Sequence, residues 1–236
     1  MVTKALQLAS RFALPPNSLG YCGKGTAPEK FKSCILGNSC DAVSEEIDKF
    51  IVLGPYLETL SKITGKDKYA YEVVEAYWLG NDELKKAKQK DYFLLLEILA
   101  KQGVPPWLID ELKDKKPNKF IPTHLFQVLH VGVGRASGSV PYNMDTINNC
   151  MIRWGKVEKI GKKNLTINPI SLKKVGNKFK LTLKRESYPY RADFMPDLKI
   201  GDTVAVHWKQ AVKKLINDEV NKLEFWTKKV ISTVQG

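Results

Sequence analysis

The sequence has no apolar run that is long enough to cross a membrane. A spanning helix needs about 18–20 consecutive apolar residues, and the 236-residue chain contains no such run. At the N-terminus, Arg11 interrupts the apolar residues, and no small-residue cleavage site of a signal peptide follows. We therefore expect a cytoplasmic protein with no membrane partner, whose first residues form a short amphipathic helix.

Cysteine and histidine are scarce, with four and three residues respectively. Cys22, Cys34 and Cys40 are separated by eleven and five intervening residues, unlike the C-x2-C pairs of structural zinc sites. Four cysteines in a cytoplasmic chain of this length do not predict a disulfide framework. We expect reduced thiols, so any special cysteine must be recognised by its surroundings.

Acidic residues are too few to balance the basic ones, and the imbalance lies in the last third of the chain. Residues 150–236 carry 19 Lys and Arg against 8 Asp and Glu, whereas residues 1–149 carry 19 against 17. This asymmetry indicates a domain boundary near residue 150. It also predicts a basic surface for an acidic protein or a nucleic acid.

Hydrophobic periodicity predicts helices before residue 150, because apolar residues recur there at intervals of three or four. The predicted segments are a helix over 47–63 that Gly54-Pro55 interrupts, a second that ends at Gly80-Asn81, a third that Asp82 caps and that runs to Gly103, and a short one from Pro105.

From Met151 the period changes to the alternation of half-buried strands. Gly176-Asn177 predicts a hairpin, residues 203–208 predict a further strand, and residues 211–230 predict a closing helix. The expected fold is α+β: a mainly helical domain over 1–149, followed over 150–236 by a small OB-like β-barrel with a C-terminal helix.

Two motifs in the last third resemble a known family. Residues 150–157 (CMIRWGKV) match a pattern of Cys, three mostly apolar residues, Pro, Gly, a variable residue and an aliphatic one, with Trp154 in the place of proline. Residues 201–207 (GDTVAVH) match a Gly-Asp-x-Val-x-Val-His segment. In these motifs and in its terminal helix, the region 150–236 resembles the HypC/HupF-type chaperones of nickel–iron hydrogenase maturation.

The resemblance implies a role for two residues. In that family the motif cysteine and the histidine of the strand, here Cys150 and His207, are tied to carrying iron that bears cyanide and carbon monoxide ligands. The implied partners are a HypD-like maturation protein and a hydrogenase large subunit. The family's cysteine is N-terminal after removal of methionine, whereas 149 residues precede Cys150. Residues 168–193 are also longer than the equivalent loop of the family.

The helical part offers three further candidate metal ligands, namely Cys22, His124 and His130. Cys22 lies in a glycine-rich segment (20–26) that lacks the order of residues of a phosphate-binding loop. His124 and His130 are six residues apart, which in a strand would place both on one face. Segments 15–23 and 73–81 of this part are similar to a family of unknown function, which implies no activity.

Three functions remain open from the sequence. The first is a non-enzymatic accessory protein of hydrogenase maturation, which handles or docks an iron centre through Cys150 beside His207. The second is an OB-like nucleic-acid-binding module, which the basic last third favours. The third is a metal-dependent enzyme whose site lies between the two parts of the chain, around Cys22, His124 and His130.

Overall fold

The structure is a computed structural model that describes residues 2–23, 25 and 27–234. Lys24 and Thr26 of the glycine-rich segment lie outside the described residues. The α-helices are α1 (Val2–Ser18), α2 (Pro28–Ile35), α3 (Val43–Asp48), α4 (Leu53–Thr64), α5 (Tyr71–Trp78), α6 (Asp91–Gln102), α7 (Pro106–Asp114), α8 (His124–Phe126), α9 (Met144–Cys150) and α10 (Asn217–Val234). The strands are β1 (Arg153–Ile160), β2 (Asn164–Ile167), β3 (Ile170–Val175), β4 (Lys178–Leu183), β5 (Glu186–Pro189), β6 (Thr203–His207) and β7 (Gln210–Leu215).

The expected α+β class is confirmed, and so is the order of its helical and strand-rich parts. None of the described helices is both long and apolar enough to span a bilayer.

The amphipathic helix predicted at the N-terminus is α1, and it joins the helical part to the sheet. Ala5, Ala9, Phe12 and Ala13 recur on its buried face, and the small alanine side chains let neighbouring backbones approach. The guanidinium of Arg11 donates hydrogen bonds to two backbone carbonyl oxygens in the last third of the chain, at 2.9 and 3.3 Å. The buried apolar side chains of both parts form one connected cluster.

Two helix ends lie at the glycines that the sequence predicts. Gly80 follows α5 with a φ of +82°, and Gly103 follows α6 with a φ of +97°, a left-handed conformation that favours glycine. A Cβ atom at residue 80 would lie 2.3 Å from the ring of Trp226 on α10. Gly80 therefore also allows α10 to pack closely on the helical part.

Other helical predictions are correct only in part. The segment 47–63 is interrupted as expected, but before Pro55, which lies in the first turn of α4, where proline is tolerated. The helix predicted from Asp82 to Gly103 is wrong, because Asn81 caps a short 3-10 turn and α6 begins only at residue 91. Residues 85–90 (KKAKQK) supply no large apolar side chain, so no helical face there can pack on the core.

The main sheet is antiparallel and open. Its strands lie in the order β5-β2-β1-β6-β7, and β3 and β4 form a separate hairpin. Gly176 and Asn177 connect that hairpin as predicted, and Gly176 has the positive φ of +58° that tight hairpin turns require. The two edge strands β5 and β7 do not pair, so the closed OB-like barrel expected from the sequence is not formed by the described residues.

The closing helix begins later than predicted. Residues 210–215 form β7, which pairs antiparallel with β6, and α10 starts at Asn217. The turn between β6 and β7 consists of Trp208 and Lys209, whose φ angles are +45° and +58°. Glycine or asparagine usually occupies such positions, so the sequence gives no sign of this turn.

The prediction that all four cysteines are reduced is wrong. Cys34, in the last turn of α2, forms a disulfide with Cys40 in the following loop. The chain reverses at Gly37, where φ is +82°, and this brings the two Cα atoms to 4.5 Å. Cys22 and Cys150 are free.

Candidate metal centre

Strand pairing brings Cys150 close to His207. β1 and β6 run antiparallel, with Arg153 opposite Val206, so the residues before β1 lie beside the end of β6. The backbone N–H of Trp208 donates to the carbonyl oxygen of Asn149 at 2.6 Å, which continues this contact past the last strand residues. The two motifs that carry the family resemblance thus meet in space.

His124 approaches the same point from the helical part. Thr123 caps α8, and its hydroxyl accepts a hydrogen bond from the backbone N–H of Phe126. This cap sets the first turn of the helix, which a π-helical turn over Gln127–Gly132 continues. The imidazole Nε2 of His124 lies 3.7 Å from the Sγ of Cys150 and 2.7 Å from its carbonyl oxygen.

Three potential ligand atoms, from His124, Cys150 and His207, therefore converge. All three lie within 4.8 Å of one another, and their residues are 4, 3 and 1% exposed. Two imidazoles and a thiolate are ligands that zinc, copper, iron and nickel accept. No other group of three His, Cys, Asp or Glu ligands with this spacing occurs in the part of the chain that the structure describes.

Hydrogen bonding leaves His207 ready to act as a ligand. Its Nδ1 lies 2.7 Å from the carbonyl oxygen of Phe12 on α1. A carbonyl oxygen only accepts, so Nδ1 carries the proton and Nε2 carries the lone pair. This Nε2 is buried and makes no hydrogen bond of ordinary geometry with a described residue. Burial lowers the pKa of His207, but the backbone of Cys150 is close enough to act on this pKa in the opposite direction. A backbone carbonyl that fixes the tautomer of a histidine is the usual support of a metal ligand, and an orphaned buried nitrogen is otherwise costly.

His124 has partners that are compatible with both a metal-free and a metal-bound state. Its Nδ1 lies 3.0 Å from the hydroxyl of Tyr77, and that hydroxyl donates to the side-chain oxygen of Gln127. Because Nε2 lies 2.7 Å from the carbonyl oxygen of Cys150, it carries the proton in this structure. A metal could bind Nε2 only after that proton moves to Nδ1, where the hydroxyl of Tyr77 can accept it while donating to Gln127.

Burial favours the neutral form of every group in the cluster. It lowers the pKa of His124 to about 4 and that of His207 well below its ordinary value. It also raises the pKa of the Cys150 thiol well above its ordinary value. The imidazoles are therefore already in the form that binds metals, whereas the thiol must lose a proton when a metal binds.

A cavity of about 460 Å³ adjoins the three ligands. Tyr77, His124, Cys150 and His207 line it, and so does Cys22. Aromatic and aliphatic side chains form most of the remaining surface. The cluster therefore faces an internal space and is not sealed on all sides by protein.

Comparison with protein families places the whole chain in one group. The family of unknown function DUF6390 matches residues 1–236. The chain belongs to DUF6390. No curated protein and no solved structure is detectably similar to it. The helical and sheet parts, which supply His124 and His207 respectively, both fall within the DUF6390 match.

Two of the sequence-predicted ligands of this DUF6390 member are not in the cluster. His130 lies on the π-helical turn rather than on a strand, and its Nε2 lies 2.8 Å from the hydroxyl of Tyr92. Cys22 lines the cavity but is not one of the three clustered ligands. The predicted grouping of Cys22, His124 and His130 is therefore not formed, although the cluster does lie between the helical part and the sheet.

The supporting residues of the site were not predicted from the sequence. Phe12 acts through its backbone, which carries no residue-specific signal, and Gln127 lies among apolar residues without a motif. Tyr77 lies in segment 73–81, which is similar to a family of unknown function, but its pairing with His124 spans 47 positions. The one available clue is chemical: a histidine that binds a metal needs a hydrogen-bond partner for its other ring nitrogen. That requirement does not say which residue supplies the partner.

Proposed function

We propose that this protein is a non-enzymatic accessory protein that binds a transition-metal ion through Cys150, His124 and His207. The observation that carries the proposal is that the buried Nε2 of His207 lies beside a thiol and a second imidazole. This atom makes no hydrogen bond of ordinary geometry with a described residue, and it belongs to a histidine whose tautomer a backbone carbonyl fixes. The indole nitrogens of Trp78 and Trp208 in the same cavity wall are also buried without a partner among the described residues. It is therefore the convergence of the His207 nitrogen with the two other ligand atoms that supports a metal centre.

Iron is the metal that we propose, in the setting of nickel–iron hydrogenase maturation. The resemblance of residues 150–236 to HypC-type chaperones implies a cysteine and a histidine that carry iron with cyanide and carbon monoxide ligands. Cys150 and His207 are close together in this structure, which supports the proposal. A thiolate is a soft ligand that suits low-spin iron, and an imidazole is a suitable second ligand.

His124 adds a third ligand from a region that the resemblance does not cover. In the proposed function it replaces the α-amine that an N-terminal cysteine would offer, since Cys150 is internal. The proposed partners are a HypD-like maturation protein and a hydrogenase large subunit, and the proposed location is the cytoplasm. The Cys34–Cys40 disulfide is unusual for that compartment, so the thiol state of these cysteines in cells tests the location.

Metal binding is tested on anaerobically purified, reduced protein with Fe²⁺ and with Co²⁺, which reports thiolate ligation through a charge-transfer band. We expect one ion per chain and a thiolate band that Cys150→Ser abolishes. His207→Gln should weaken binding by at least about tenfold. His130→Gln is the control, because His130 is a half-buried histidine that lies outside the cluster, and it should bind as the wild type does. Wild-type protein without the thiolate band contradicts the proposal.

The role in maturation has a separate test. Protein co-expressed with hydrogenase maturation partners should carry iron, and its infrared spectrum should show bound cyanide and carbon monoxide, which absorb where proteins do not. Cys150→Ala should lower the hydrogenase yield. Metal binding without these bands, and with an unchanged yield, would retain the metal centre and refute its assignment to hydrogenase maturation.

The cavity favours a second candidate, a metal-dependent enzyme. Catalytic zinc sites combine three protein ligands with an open position that faces the substrate, and three ligands here face a cavity of about 460 Å³. Turnover of a small molecule that depends on both the metal and Cys150 would favour this candidate over a carrier.

The nucleic-acid alternative is favoured by one surface. Lys173 and Lys180 lie directly opposite each other on the β3–β4 hairpin, and both are exposed. Like charges in this position are unfavourable without an anionic partner. Binding of single-stranded RNA that weakens steeply with salt, and that Lys173→Gln/Lys180→Gln reduces, would support this alternative.

A further inference from the structure

The cavity beside the three ligands is much larger than a bare metal ion requires. Its volume is about 460 Å³, whereas a cavity needs only about 10–15 Å³ of the same kind of volume to hold one water molecule. Pockets that bind small organic molecules span about 300–1,000 Å³. The space is therefore large enough for an organic molecule that reaches the metal centre.

The wall of the cavity is aromatic and almost uncharged. Tyr21 and Trp208 pack against each other with ring centroids 4.7 Å apart, and Phe50 and Tyr77 add two more rings. Among the described lining residues, Lys49 is the only one with a permanent charge, and its ammonium group pairs with Glu46 at 2.9 Å. No carboxylate belongs to the lining residues that the structure describes. A charged group inside would lack a counter-charge, which makes its burial unfavourable.

The three potential metal ligands line this space, and so do residues that are exposed to solvent. Ser137 and Gln102 are lining residues that remain exposed, so a molecule can enter between the turn after the π-helix and the C-terminus of α6. Three protein atoms leave at least one coordination position to be filled in a four-coordinate ion. Because the three ligands line the cavity, that position lies on the cavity side.

We propose that the cavity binds an uncharged aromatic molecule that carries one metal-coordinating atom, with its ring among Tyr21, Phe50 and Trp208. The inference rests on the metal-binding part of the proposed function and names the class of ligand that the centre receives. It is an alternative to cyanide and carbon monoxide at that position, so it does not rest on the assignment to hydrogenase maturation. The aromatic rings supply apolar contact area and stacking partners, and the neutral wall selects against charged molecules. The donor atom of the ligand fills the position that protein leaves free.

The test compares two probes with the same donor atom on Co²⁺-loaded protein. Imidazole and 4-phenylimidazole each offer one neutral ring nitrogen, and only the second carries an aromatic group for the cavity. Titrations follow the visible bands of Co²⁺, and affinities are divided by those for aqueous Co²⁺. We expect 4-phenylimidazole to bind at least about tenfold more tightly than imidazole, since burying a phenyl group yields that much affinity or more.

A variant whose cavity is filled by a larger side chain provides the control for this affinity comparison. Ala136 is a buried lining residue, and Ala136→Trp should remove the preference while the thiolate band persists. The same substitution at exposed Ala100, outside the cavity, should leave the preference unchanged. If Ala136→Trp does not fold, Val140→Phe narrows the same wall by a smaller addition.

The outcomes separate the two proposals. The aromatic-ligand proposal is overturned if imidazole and 4-phenylimidazole bind wild-type protein with equal affinity after the correction for aqueous Co²⁺. It is also overturned if folded Ala136→Trp protein still prefers 4-phenylimidazole. Both results leave the metal centre standing. Absence of the thiolate band before any probe is added instead refutes the metal centre, and the ligand proposal falls with it.

Discussion

Replacing His130 with glutamine should change how the stability of this protein depends on pH. His130 is half-buried and packs against the ring of Phe126 and the hydroxyl of Tyr92. Burial lowers its pKa from 6.5 to about 4. As the pH falls, the unfolded chain therefore takes up the proton first, and the stability that neutral His130 contributes is lost between about pH 6.5 and pH 4.

The magnitude follows from the two pKa values. The full shift of about 2.5 pH units corresponds to about 3.4 kcal/mol at 1.36 kcal/mol per unit, and about 2 kcal/mol of it is lost between pH 7.5 and pH 5. Glutamine does not titrate, so His130→Gln removes this loss. The free energy of unfolding of the wild type, minus that of the variant, should therefore fall by about 2 kcal/mol over that interval.

The assay is urea unfolding of metal-free protein at pH 7.5, 6.5 and 5.0. The free energy of unfolding is measured at each pH for the wild type and for the variant. Packing lost through the substitution contributes equally at each pH, so it cancels in the comparison. His124 and His207 titrate in both proteins and cancel as well. A stability difference that stays constant from pH 7.5 to pH 5.0 would refute the reasoning, since it would mean that His130 titrates alike in the folded and unfolded chains.

Three further predictions concern other parts of the structure. Gly80→Ala should lower the free energy of unfolding in urea by about 1–3 kcal/mol, because its Cβ would lie 2.3 Å from the ring of Trp226; an unchanged midpoint would contradict this packing. Reduction of the Cys34–Cys40 disulfide should cost about 2 kcal/mol of stability, as expected for a short loop, and should leave Co²⁺ affinity unchanged. Co²⁺ at a hundred times its Kd should raise the stability of the wild type by about 2.7 kcal/mol and that of His207→Gln by much less at the same concentration.

The sequence predicts the candidate site better than it predicts the strands around it. Cys150 and His207 are predicted as neighbours from two short motifs, and the antiparallel pairing of β1 with β6 brings them together. His124 is predicted as a candidate ligand from its residue type and its spacing from His130, without an assignment to a helix or a strand. Its position depends on the Thr123 cap and on the π-helical turn, and no single-sequence pattern indicates the latter.

The failed predictions share a physical cause, since each depends on contacts that are distant or atypical. β7 is missed because Trp208 and Lys209 adopt positive φ angles without glycine or asparagine, so the pattern through residue 215 suggests a helix. The Cys34–Cys40 disulfide depends on a chain reversal rather than on a recognisable spacing. Closure of a barrel depends on whether β5 and β7 pair, which the alternation within each strand does not determine.

The hydrogen bond from His207 to the carbonyl oxygen of Phe12 has a consequence for how the protein is made. It joins residues that are 195 positions apart, so α1 leaves the ribosome long before the strand that covers it exists. At about 5–20 residues per second, the interval is roughly 10–40 s. During that time the apolar face of α1 lacks part of its native cover, and the proposed centre has at most two of its three ligands. A metal would therefore be loaded only after translation is nearly complete.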